Sequence, residues 1–295
     1  MKIHPTLKSI LWIVVPLLLG GLGFYGLYRD TDWHELQETL RTGVNYPILL
    51  FSLLFGLMSN LCRGLRWELL VRPLTAGEAP PRRINAVCTV LGSYTVNMGI
   101  PRSGEVWRCV EMECREDIPF AGLFGTLIVD RLTDVTMLGL ILLGIILSST
   151  DFFIGYFASH PELEASLRAF IYSPWSVVLV AVGLLALGGF IWLLRYRRGS
   201  RIAQFFLHIW DGMMSIRYMR HRGRFLLLTL LIWIGYFCYF YFALFAEATR
   251  DLPLSVASIA FAMSSMSVIV PVQAGMGAWH AAVIITFTTF GMAVQ

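Results

Sequence analysis

Lysine is nearly absent from this chain. Only Lys2 and Lys8 carry it, so arginine supplies 21 of the 23 basic residues. Arginine keeps its charge when desolvated and grips carboxylates or phosphates bidentately. Charge of either sign is scarce, at 14% of the 295 residues, where a soluble domain carries about 25%. With 57% hydrophobic residues and a mean hydropathy of +0.67, the composition excludes an ordinary soluble domain and points to a polytopic membrane protein. The net charge of +4 is too small and too localised to suggest nucleic acid.

Other absences narrow the chemistry. Cys62, Cys88, Cys109, Cys114 and Cys238 form no CxxC or Cys/His pattern, which speaks against a metal site and a disulfide framework. They read as free thiols packed as small hydrophobes. The chain has no Gly-rich nucleotide loop, no GxSxG and no HExxH. Its largest hydrophilic piece, Arg195–Arg224, is too short for a catalytic domain. The expectation is a protein that is not an enzyme and holds no cofactor.

What is present is apolar sequence in runs of membrane-crossing length, for which about 20 residues suffice. The clear candidates are Ile10–Tyr28, Tyr46–Leu61, Gly122–Leu147, Pro174–Leu194, Phe225–Ala246 and Leu254–Val270. Ile84–Ile100 and Ala278 to the end are weaker ones. The expected fold is all-α and polytopic, with about six to eight transmembrane helices in a single membrane domain over residues 1–295. Lys2 and Lys8 resemble a signal-peptide flank, but no A-x-A-like cleavage site follows, so Ile10–Tyr28 reads as a retained first helix.

Charge bias then assigns sides. Arg63–Arg83 contains five arginines and Arg195–Arg224 contains eight, whereas residues 29–45 hold two arginines against four acids. The positive-inside rule puts the first two connections and the N-terminus in the cytoplasm, and residues 29–45 and 149–173 outside. All connections fall correctly if residues 84–118 enter and leave on the cytoplasmic side as a re-entrant hairpin broken at Gly99, Ile100 and Pro101. Such irregular backbone belongs where it lines a cavity or is buried in protein. Residues 264–295 repeat the pattern through Pro271, Gly275 and Gly277. Paired Gly/Pro interruptions in two halves point to a pseudo-symmetric central cavity between two hairpins. The final segment stops inside apolar sequence, as expected of a C-terminally shortened chain.

The charged residues near these breaks are the candidate site. Arg102, Glu105 and Arg108 are spaced i, i+3, i+6, so neighbouring Arg–Glu contacts along one helix are expected. Pro101 marks a helix start whose dipole favours an anion. Asp130 and Asp134 share a helix face, with Arg131 in reach of Asp134. The alternative for both groups is a salt-bridge network that only pins helices together. Arg63 and Arg66 read as interfacial anchors that snorkel to lipid phosphates, with a site role as the other reading. His280 reads as a satisfied helix histidine or a cavity residue. Gly104 permits close backbone approach.

These motifs resemble the membrane region of lysylphosphatidylglycerol synthetases and the related flippase-like family. The resemblance rests on Arg63-x-x-Arg66-Trp67, on Pro101-Arg102-x-Gly104-Glu105-x-x-Arg108, on Asp130-Arg131-x-x-Asp134, and on the turn from Pro271 to Gly277. His280 stands where the family often has Glu, and Ala274 where glycine is common. The resemblance covers the membrane region and not the aminoacyl-transferring domain, so these 295 residues are not expected to make aminoacylated lipid. The resemblance implies a flippase-like transporter in a bacterial inner membrane, moving an anionic, aminoacylated or glycosylated lipid. The implied partner is a phospholipid or glycolipid, with a lipid-modifying transferase as a further candidate. The alternatives are a non-catalytic accessory to glycolipid or polyprenyl-lipid synthesis, and a secondary transporter of a small anion.

Overall fold

A computed structural model of the chain describes residues 33–75, 79–99, 102–148, 201–246, 253–266 and 277–290, with a few single positions between 150 and 188. Every regular element among them is a helix. The expected spans Ile10–Tyr28 and Pro174–Leu194 lie outside the described residues, single positions of the second aside, as do Pro101, Pro271, Gly275 and most of the second expected turn.

Helix α1 (Trp33–Glu38) leads through a π turn into α2 (Tyr46–Val71). The Asn45 side chain accepts from the Ile48 amide, and Pro47 needs no amide partner in the first turn. Next come α3 (Arg83–Gly99), α4 (Ser103–Glu116), α5 (Phe120–Ser148), α6 (Arg201–Tyr218), α7 (Arg222–Phe245), α8 (Leu254–Met266) and α9 (Ala278–Thr289). Helices α2, α5 and α7 are long and apolar enough to cross a membrane, and α8 and α9 are shorter apolar helices.

Helices α3 and α4 fold back on each other. Asn85 donates to Glu116 at their open end, and Gly104 N–H donates to Asn97 Oδ1 at 2.8 Å near the tip. A Cβ at Gly104 would sit 2.0 Å from the Ser93 carbonyl oxygen, so only glycine allows this approach. At 17 and 14 residues, the two helices rise about 25 and 21 Å, short of the ~30 Å hydrocarbon core. Arg102 precedes α4 with φ 62° and Asp117 follows it with φ 53°. Asp117 turns the chain towards α5, whose first amide donates to Glu113 at 2.9 Å.

Among the described residues the apolar interior forms two clusters. One apolar core joins the C-terminal half of α2, α3, α4, the N-terminal half of α5 and the start of α7, around Trp67, Leu70, Val90, Met112 and Leu123. A second joins the end of α7 to α8 and α9 around Phe240, Ala257, Phe261 and Phe287. In contrast, the first half of α2 and the second half of α5 expose apolar side chains, with Leu50 at 64% and Leu147 at 69%. Such a belt suits hydrocarbon, not water.

The segment read as an arginine-rich connection contains a well-formed helix, α6. It crosses α5 so closely that a Cβ at Gly212 would lie 2.2 Å from the Gly122 carbonyl oxygen. Burial of Ile209, Gly212, Ser215 and Met219 gives this segment a helical stripe that its arginine-rich flanks conceal.

Candidate functional site

The charged residues meet where the buried halves of α2 and α5 give way to their exposed apolar halves. Asp130 stands eleventh in α5 and is fully buried. Its Oδ1 accepts from Arg66 Nε at 3.1 Å and Nη2 at 2.7 Å, and its Oδ2 accepts from Arg108 Nη2 at 3.1 Å. One carboxylate thus holds α2, α4 and α5 together. One helical turn on, Asp134 accepts from Arg66 at 2.7 Å and forms a close ion pair with Arg63.

A second, outer pair closes this arrangement. Glu105 on α4 meets Arg131 on α5 at 2.5 Å, with their side chains 28% and 37% exposed. Beneath it, the Arg108 guanidinium lies 4.6 Å from the Trp67 ring centroid, a favourable cation–π geometry. Trp67 is itself fixed by its indole N–H, which donates to Thr126 at 3.1 Å. On the other flank Arg63 Nη1 approaches the Tyr236 hydroxyl at 3.5 Å, and that hydroxyl donates to Asn60 at 2.8 Å.

Several expectations change here. Glu105 and Arg108 do not pair along α4; each reaches α5 instead. Their i, i+3 spacing allowed the intrahelical contact, but Asp130 and Arg131 offer partners inside the packed interface. Arg63 and Arg66 are not snorkelling anchors. They are buried and ion-paired, because α2 continues ten residues beyond the predicted end Leu61 and carries them into the core. The Arg131–Asp134 contact exists only as a loose 3.8 Å pair, so α5 does not neutralise itself.

Nor does the cluster line an open cavity. Arg66 and Asp130 are at zero exposure and Arg108 at 2%, so the arrangement described is closed. Arg102 stands at the hairpin tip, just before α4. His280 belongs to another part of the fold, in α9, with its ring edge-on to Trp279. Gly277 begins that helix with φ 83°, the conformation glycine permits.

Sequence reasoning missed Asn60, Trp67, Thr126 and Tyr236 as members of this network. Asn60 inside an apolar run was the available signal, since an amide in lipid requires a partner.

Two features define what the cluster can do. Among the described residues, four arginines (Arg63, Arg66, Arg108, Arg131) face three carboxylates (Glu105, Asp130, Asp134), a surplus of one positive charge. Arg66 Nη1, Arg108 Nε and Arg131 Nε are buried with no hydrogen-bond acceptor. A desolvated surplus cation with unused donors favours an anion.

A family model describing the lysylphosphatidylglycerol synthase TM region matches residues 12–294. No curated protein and no solved structure matches the chain.

Proposed function

We propose a lipid-translocating role from the premise that the chain belongs to the lysylphosphatidylglycerol synthase TM-region family, which makes it a membrane protein of lipid metabolism or transport. The observation that carries the reading is the buried surplus of one arginine, with three guanidinium N–H groups lacking an acceptor. A lipid phosphate supplies both the missing charge and the missing acceptors.

In this account the hairpin α3–α4 is re-entrant from the cytoplasmic side, in a bacterial inner membrane with the N-terminus inside. The half-exposed Glu105–Arg131 pair is the latch between hairpin and α5. When it parts, a headgroup reaches Arg108 and Arg66 while its acyl chains remain against the exposed apolar halves of α2 and α5. Arg102 at the tip meets the headgroup first. Asp130 and Asp134 hold the arginines in place and take them back when the phosphate leaves. No covalent step is required, so the role is transport without catalysis. The substrate class is an anionic phospholipid or its modified form.

The test is lipid movement by the purified protein in proteoliposomes, with headgroup-labelled phosphatidylglycerol and phosphatidylcholine compared side by side. Protein-dependent movement, faster for the anionic lipid, is expected. Folded protein that moves neither lipid overturns the proposal and leaves the accessory role.

A further inference from the structure

We propose a second binding site, separate from the arginine cluster, that takes a primary ammonium group attached to a short carbon chain. A cavity of about 350 Å³ lies between the turn after α2, the α4–α5 link and α6. That volume is in the range of small-molecule sites. One wall is apolar, formed by Leu74, Ile118 and Pro119.

The opposite wall is a single polar face of α6. His208, Asp211, Ser215 and Tyr218 all line the cavity, and their spacing of three, four and three residues stacks them along one side of a helix. Ser215 is 1% exposed, and its hydroxyl has no hydrogen-bond partner within the protein. A buried hydroxyl left unpartnered costs free energy that a ligand can recover. Among the described residues no ion pair engages Asp211. The face cannot rotate away, because α6 is pinned to α5 at Gly125 and Gly212, where any Cβ would clash with backbone of the other helix.

The lining selects the ligand's charge. With histidine neutral, Asp211 is the one charged group in it, so an anion is repelled and a cation attracted. An ammonium has three N–H donors and no acceptor. The Asp211 carboxylate, the Ser215 and Tyr218 hydroxyls and a His208 ring nitrogen are all able to accept from it. The apolar wall receives the attached carbons.

The same chemistry is offered by a soluble amine and by an amine-bearing lipid headgroup. The experiment uses the full chain in phosphatidylcholine nanodiscs and saturation-transfer NMR with n-butylammonium, n-butanol and butyrate. Saturable binding of n-butylammonium is expected, with n-butanol at least about tenfold weaker and butyrate undetected. Asp211→Asn, at an exposed position, should weaken n-butylammonium about tenfold or more, and Ser215→Ala should weaken it severalfold. Arg131→Gln, in the other site, should leave it unchanged. Displacement by phosphatidylethanolamine added to the nanodiscs assigns a lipid source, and indifference to it assigns a soluble amine. Equal binding of n-butylammonium and n-butanol, or full affinity in Asp211→Asn, overturns the proposal.

Discussion

At Asp130 a carboxylate without any contact with solvent is paired with two guanidinium groups from different helices. Desolvating such ions costs several kcal/mol each, and good geometry on both oxygens offsets it. Removing one member therefore exposes the cost of the others. Asp130→Asn leaves Arg66 and Arg108 facing each other without their shared counter-charge, and is expected to lower stability by about 3–5 kcal/mol. Arg115→Gln breaks the exposed Glu111–Arg115 pair and is expected to change stability by less than about 1 kcal/mol. Thermal unfolding of the two purified variants in detergent checks the contrast. The residue types and the spacing of this cluster were legible in the sequence. The pairings were not, because spacing within one helix says nothing about Arg66 meeting Asp130 across 64 positions.

The hairpin is an element whose shape depends on one missing side chain. Gly104 lets α4 lie against the Ser93 carbonyl, and Trp107 packs over Gly92 on the same seam. Gly104→Ala is expected to part the two helices and with them the Arg108–Asp130 and Glu105–Arg131 contacts, giving a marked loss of thermal stability. Gly139→Ala, where nothing lies within 4 Å of the added carbon, is expected to be neutral or stabilising by up to about 1 kcal/mol. The same melting measurement compares them, and equal effects would remove the hairpin seam from the account. Helices α3 and α4 were readable from the apolar run, the Gly99–Pro101 break and the amphipathic charges after it. Helix α6 was hidden, since eight arginines in Arg195–Arg224 suggested a solvated connection while a narrow stripe of Ile209, Gly212 and Met219 did the packing.

At the scale of the molecule, the described residues form two apolar cores beside an exposed apolar belt, and the arginine–carboxylate cluster marks the border between packed protein and that belt. Hydropathy found α2, α5 and α7 because length and composition alone identify a span. It placed the end of α2 too early, at Leu61, because charged residues ended the apolar run although the helix ran on into protein. Burial of charge is a property of the assembled helices, and no single run of sequence carries it. The lipid selectivity proposed above belongs to this scale too, since the surplus of one arginine is a sum over three helices.

The most direct measurement of the central claim is the ratio of phosphatidylglycerol to phosphatidylcholine movement in proteoliposomes containing Arg131→Gln, Glu105→Gln or both together. Arg131→Gln equalises the cluster's charges and should bring the ratio towards unity. Glu105→Gln enlarges the surplus and should raise it. The double variant restores a surplus of one and should return the ratio close to that of the unaltered protein. A ratio that stays constant across all three folded variants would contradict the assignment of the lipid phosphate to this cluster.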